Sequence, residues 1–192
     1  MGSLLAGSGL KIWTLTKRPG RTPPSPPVTV PAANLIGREG ERFRQIMQQF
    51  NFSRTEAAAQ AVGLAQGALE KFIKYAKRRT AFGQAIADFQ GNQFKIAEIG
   101  TMIEAARALY YKAAALMDRG KVDHNLIAMA KLFAGQVGIK AADEAVQIYG
   151  GYGYIAEYDV ERYYRYAKII EIYEATKEIE KVTIARRMLA QY

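Results

Sequence analysis

Apolar residues recur at spacings of three and four along most of the chain. Ala58, Val62, Ala65, Leu69, Phe72 and Ala76 fall on one face and predict a long helix over residues 41–79, with a break near Asn51. TAFGQAIADFQ (80–90) interrupts this pattern with a glycine and an aromatic. A second stripe, Met102, Ala105, Leu109, Ala113 and Leu116, ends at the turn DRGKVDH (118–124). A third, Leu126, Met129, Phe133, Val137, Ala141, Ala145 and Ile148, runs into YGGYGY (149–154) and closes on its glycines. A short helix around VERYYRYA (160–167) and a last one reaching about Gln191 complete the pattern, with no proline after Pro31. Long helices with short connections predict an all-α fold, an antiparallel four-helix bundle. The helices differ in length and glycine placement, so no solenoid repeat is present.

Residues 1–37 are different. GSG, RPGRTPPSPP, a strand-like KIWTLT and a short extended VTV make an irregular or strand-like region rich in turn-formers, and the helical domain is expected over 38–192. The net charge is +9, of which Lys11, Lys17, Arg18 and Arg21 contribute +4 without any acid before residue 38, leaving +5 for the rest. The densest cluster, KFIKYAKRRT (71–80), reads as a solvated helix C-terminus, where cations suit the macrodipole. That reading ranks above a nucleic-acid surface, because no recognition motif or base-stacking aromatics accompany the cluster. The chain has no cysteine, which excludes disulfides, thiolate metal sites and a cysteine nucleophile and is compatible with a reducing cytoplasm, the location expected. No apolar run approaches the roughly 18 residues of a membrane span, and MGSLLAGSGLKIW has too short an apolar part for a secretory signal.

Candidate chemistry is sparse when residues are taken singly. His124, in a polar turn, lacks partners for a metal site or a nucleophile pair and reads as solvated. YGGYGY has the composition of a phosphate-cradling loop, but it follows a helix and precedes extended chain, so alone it is a helix cap. Glu174 alone is a carboxylate in the first turn of a helix, a favourable charge–dipole contact.

Together these segments carry more. RRTAFGQAIADFQGNQFKIAEI (78–99), AVQIYGGYGYIAEYDVERYYRYAKI (145–169) and IYEATKEIEKVTIAR (172–186) occur in an order and spacing that resemble the acyl-CoA dehydrogenase family. The resemblance covers residues 28–192. VPAANLIGREGERF (30–43) resembles the junction between the family's middle β domain and its C-terminal helical domain, and GLKIWTLTKRPG (9–20) a remnant of the last β strands. On this reading the chain lacks the N-terminal helical domain and nearly all of the β domain of a complete member.

The family oxidises acyl-CoA thioesters to α,β-enoyl-CoA: a glutamate removes the α-proton while hydride leaves the β-carbon for FAD. The resemblance puts Glu174 in that glutamate's place, with its backbone N–H among the donors to the thioester oxygen. It assigns flavin contacts to Arg79, which reaches the pyrophosphate, with Phe82 and Gly83 following it, and to Gln90, Gln147, Gly150, Gly151, Thr176 and Glu178. It assigns the substrate side to Asn51, Arg54, Tyr173, Ala175 and Arg186. Three positions depart from the family pattern: Asn51 stands for the usual aspartate, Ala175 for the glycine after the base, and Tyr166 for the aspartate of an RDAK motif. The implied partners are an acyl-CoA, electron transfer flavoprotein as acceptor, and either further copies of the chain, the family tetramer being built largely on this domain, or a chain that supplies the missing domains. Two other readings stand beside the enzyme: a noncatalytic helical oligomerisation domain derived from the family, and, ranked third, a nonspecific basic binding protein.

Overall fold

The computed structural model describes residue 34, residues 36–38 and residues 40–191. The chain divides between residues 39 and 40, and every α-helix of the described residues lies in the second unit. The strand-like segments expected at KIWTLT and VTV lie outside the described residues. The elements are α1 (Arg42–Arg78), a hairpin of β1 (Thr80–Ala81) and β2 (Gln84–Ala85), α2 (Gln90–Asp118), α3 (His124–Tyr149), α4 (Glu161–Ile170) and α5 (Lys177–Leu189). Short 3-10 turns occupy Ile86–Asp88, Gly150–Tyr154 and Ala156–Tyr158.

Side-chain contacts fix the helix directions. Thr55 meets Met117 and Gln66 meets Arg107, so α1 and α2 are antiparallel. Lys95 pairs with Glu144 and Lys140 with Glu98, so α2 and α3 are antiparallel as well. The next element descends the groove between α1 and α3. Tyr163 covers Gly67, Glu171 faces Gly135, Glu180 reaches Arg54, and the charge of Arg187 is felt at His124. Thus α4 and α5 run in the same sense and together form the fourth helix of an antiparallel bundle, broken at residues 171–176.

Alanines make that packing close. Ala57, Ala58, Ala61, Ala65 and Ala68 of α1 are buried with Ala130, Ala134, Ala141 and Ala145 of α3, and Val62, Phe72, Ile99, Ile103 and Val137 fill the core. Small side chains let two backbones approach, as at Gly138, where an added Cβ would lie 3.6 Å from the Ala61 carbonyl oxygen. α3 is buried on most of its surface and is the central helix. Asp123 caps its N-terminus, accepting from the Asn125 and Leu126 N–H groups at 3.0 Å.

The structure departs from the sequence pattern in four places. α1 is continuous through Asn51, which is buried; its carbonyl accepts from Thr55 Oγ1 at 2.9 Å and its Oδ1 faces His124 Nδ1 at 2.9 Å. His124 therefore has a partner and is more than a solvated turn residue. On α2 the buried seam is Ile99, Ile103, Ala106 and Ala113, and Ala105 is exposed. YGGYGY leads into 3-10 turns and not into extended chain.

Candidate active site

Glu174 lies in the break of the fourth helix and not in the first turn of α5. It has φ 58° and Ala175 has φ 105°, two successive left-handed residues without glycine. Each such residue costs about 1–3 kcal/mol unless its surroundings impose the conformation. Here they do. Arg54 Nε on α1 donates to the Glu174 carbonyl at 3.0 Å, and Lys131 Nζ on α3 donates to the Ala175 carbonyl. The Lys177 N–H closes the turn onto the Glu171 carbonyl at 3.1 Å. With both carbonyls turned inward, no backbone carbonyl of the described residues accepts from the N–H groups of Glu174, Ala175 or Thr176.

The Glu174 carboxylate is half-buried, and Ser53 Oγ on α1 donates to its Oε2 at 2.5 Å. Beside it Tyr173 donates its hydroxyl to Gln60 Oε1, and burial together with the charges of Glu174 and Glu56 raises the phenol's pKa. Thr176 is extended at the entry to α5 and its side chain makes no capping bond, so the hydroxyl is not spent within the turn.

Beneath the turn lie charges that sequence reading missed. Lys131 is 2 % exposed and Glu180 1 % exposed. Glu180 Oε1 is 3.3 Å from Arg54 Nε yet accepts no hydrogen bond, because the Arg54 N–H is directed at the Glu174 carbonyl. Burial lowers the Lys131 pKa against the pull of Glu180, and burial raises that of Glu180 against Arg54 and Lys131. The signal for Lys131 was present in AMAKLFAG: a lone lysine within an otherwise apolar stretch of α3. Glu180 falls on the inward face of a helix whose sequence is rich in charge, which hid it. On the opposite side of the break, Glu171 accepts from Lys168 Nζ at 2.7 Å and Lys177 Nζ at 3.5 Å; these contacts outweigh its burial and hold its pKa low.

A second cluster sits at the other end of α1. Arg79, Gln147, Gly150 and Gly151 line one open cavity of about 340 Å³ with Tyr75, Ile86, Ile148, Tyr149 and Tyr152. Gly150 has φ 60°, and an added Cβ at Gly151 would meet nothing within 4 Å. The neighbouring hairpin turns at Phe82, φ 53°, and Gly83, φ 82°, with Phe82 97 % exposed. Among the described residues Phe82 meets one aromatic ring, Phe89, edge-on at 6.3 Å between ring centroids, and otherwise stands in solvent. Gln90 opens α2 and is exposed.

Thus the structure brings Glu174, Tyr173, Ala175, Thr176 and Arg54 together at one end, and Arg79, Gln147, Gly150 and Gly151 at the other. Asn51 lies one turn of α1 before Arg54 but is spent on His124. Arg186 and Glu178 are exposed on α5, and Tyr166 is exposed on α4. Arg54 and Arg79 are 25 residues apart in sequence along the line of α1. That separates the two clusters by about 37 Å.

Comparison with known proteins gives this arrangement its family. The model of the acyl-CoA dehydrogenase C-terminal domain matches residues 40–189. An acyl-CoA dehydrogenase of Bacillus subtilis (strain 168) is 49% identical over 160 residues, covering 83% of this chain and 42% of the relative. The acryloyl-CoA reductase (NADH) of Anaerotignum propionicum is 48% identical over 160 residues, 83% of this chain and 41% of the relative. The structure of butyryl-CoA dehydrogenase from Megasphaera elsdenii superposes with a TM-score of 0.81 at 43% identity, over 83% of this chain and 42% of that one. The chain spans a little over two fifths of the length of these relatives. The superposed fold and the matched sequence agree, and the chain belongs to the acyl-CoA dehydrogenase family, corresponding to its C-terminal helical domain.

Proposed function

We propose that this domain supplies the proton-transfer base of a flavin-dependent interconversion of acyl-CoA and enoyl-CoA, with Glu174 as the base. The observation that carries the reading is the placement of Glu174: a half-buried carboxylate, held by Ser53, on a turn whose carbonyls are gripped from below by Arg54 and Lys131. A carboxylate fixed at one point can meet an α-hydrogen repeatedly in the same geometry, which is what proton transfer at carbon requires. The N–H of Glu174, which meets no backbone carbonyl of the described residues, is suited to the thioester oxygen as it gains enolate charge. Relatives include both a dehydrogenase and a reductase, and Glu174 would remove the α-proton in one direction and return it in the other.

FAD, when bound, supplies the two-electron acceptor or donor. The residues present fit its polar end: Arg79 offers a planar fork to phosphate, and Gly151 leaves backbone open to approach. Gln147, Gly150, Phe82 and Gln90 would complete that grip, while Thr176 and Glu178 would meet the flavin at the Glu174 end. Because the two ends are about 37 Å apart, one chain's Arg79 serves a different active site from its own Glu174. The working assembly therefore contains at least two copies of this domain, together with β-domain surface to enclose the ring, and electron transfer flavoprotein is its acceptor.

The test is a visible absorbance spectrum of the purified chain with FAD after unbound flavin is removed, alone and with a chain carrying the family's other domains. A retained flavin band that acyl-CoA bleaches is the expected result in the complete assembly. A second reading, an oligomerisation domain without chemistry, draws on the exposed Phe52, Ile172, Ile179 and Val182. Colourless oligomers that never retain flavin in either setting would favour it.

A further inference from the structure

We infer that Lys131 is a positioning residue, which with Arg54 and the counter-charge Glu180 forces Glu174 and Ala175 into the left-handed turn that aims the base. The inference rests on the reading of Glu174 as that base.

Three facts converge on it. First, Ala175 at φ 105° occupies backbone that glycine adopts freely and alanine does not, so something outside the turn must hold it. Second, the holding groups come from two helices that are packed against each other: Arg54 of α1 takes the Glu174 carbonyl, and Lys131 of α3 takes the Ala175 carbonyl. Adjacent carbonyls gripped by two cations leave the turn one orientation, with its N–H groups facing away from them. Third, an ammonium 2 % exposed in an alanine-rich core has no solvent to ionise into, and Glu180, 1 % exposed, supplies the compensating charge. The charged groups acting on Lys131 are Glu180, Arg54, Glu174 and Glu171. Glu180 makes no hydrogen bond through Oε1, so its contribution there is charge and not geometry. Lys131 thus connects the central helix of the bundle to the strained residue beside the base.

The experiment is amide hydrogen exchange by NMR on the full chain, comparing Lys131→Met and Ala175→Gly, singly and together. Lys131→Met should accelerate exchange of the Lys177 N–H, which closes the turn, by about tenfold, while α1 to α3 keep their protection. In the double variant the acceleration should fall to about threefold or less, because glycine holds φ 105° without help. A purely structural lysine would instead give an equal acceleration in both backgrounds, and that result overturns the proposal, as does unaltered exchange in a folded Lys131→Met. Should Lys131→Met fail to fold, the unaltered chain still decides. The Ala175 carbonyl carbon shift should follow the titration of Lys131 Cε; a carbonyl shift indifferent to that titration overturns the assignment. None of these readouts uses turnover. Turnover surviving Glu174→Gln would remove the base yet leave the turn result standing, and an unaffected turn would remove Lys131 yet leave the base.

Discussion

The molecule uses left-handed backbone at both ends of its bundle, by different means. At the Tyr149 end the left-handed residue that lines the cavity is glycine, Gly150, which needs no support and leaves backbone bare, although Phe82 of the neighbouring hairpin is left-handed without being glycine. At the Glu174 end it is Glu174 followed by Ala175, and two cations, the half-buried Arg54 and the buried Lys131, hold what the residues themselves disfavour. A surface that a ligand approaches can be built from missing side chains. The base proposed at Glu174 must point one way and needs its side chain, so on that reading the fold supplies the constraint from beneath. The cost falls on Glu180 and Lys131, which are buried and lose hydration that their attraction to each other and to the half-buried Arg54 must offset.

The sharpest way to break the comparison is Arg54→Ala, which strands Glu180 and frees the Glu174 carbonyl. We expect a loss of about 3–5 kcal/mol, seen as a fall of about 10 °C in Tm; a change under about 1 kcal/mol would show that Glu180 is neutral in the fold. Next come the glycines of the other end. An added Cβ at Gly153 would lie 2.3 Å from the Val146 carbonyl oxygen, so Gly153→Ala should cost about 1–3 kcal/mol. Gly151→Ala should leave thermal stability within about 0.5 kcal/mol and weaken flavin retention, separating a glycine the fold needs from one the ligand needs. Ala175→Gly should stabilise by up to about 1 kcal/mol, strain relief exceeding glycine's entropy cost; thermal unfolding measures it.

The smallest effect is a pH dependence. Burial, with the charges of Arg187 and Arg54, lowers the His124 pKa below its ordinary 6.5, opposed by Asp123. The unfolded chain therefore binds the proton more readily, so this contribution is complete above pH 6.5 and is lost as pH falls through the folded value. His124→Gln should flatten the stability profile in that window. Glu171, whose pKa is also lowered in the fold, loses its contribution at more acid pH, as protonation breaks its contacts with Lys168 and Lys177.

Helix spacing made the bundle legible, because Ala58 through Ala76 and Val137 through Ala145 repeat with the period of buried faces. On α2 the expected stripe holds at Ala113, which is buried, and at Met102, Leu109 and Leu116, which pack against the core. Ala105 is exposed, however, and the most buried positions include Ile103 and Ala106 beside it, since alanines occur on both faces and carry little directional signal. Glu174 was legible as chemistry only through the order of separated motifs. Its setting was not: nothing in IYEAT announces positive φ, because the conformation is imposed by Arg54 and Lys131, 120 and 44 residues away in sequence. His124 is exposed as its polar turn suggested, but its contact with Asn51, 73 residues away, was illegible for the same reason.

The most direct test of the account replaces Glu174 by Gln in the flavin-bearing assembly and follows bleaching of the flavin by acyl-CoA. The amide keeps the shape and can still hydrogen-bond Ser53, but it cannot take a proton. The account predicts retained flavin with bleaching slowed by about 10²–10⁴-fold; bleaching at the unaltered rate would contradict it.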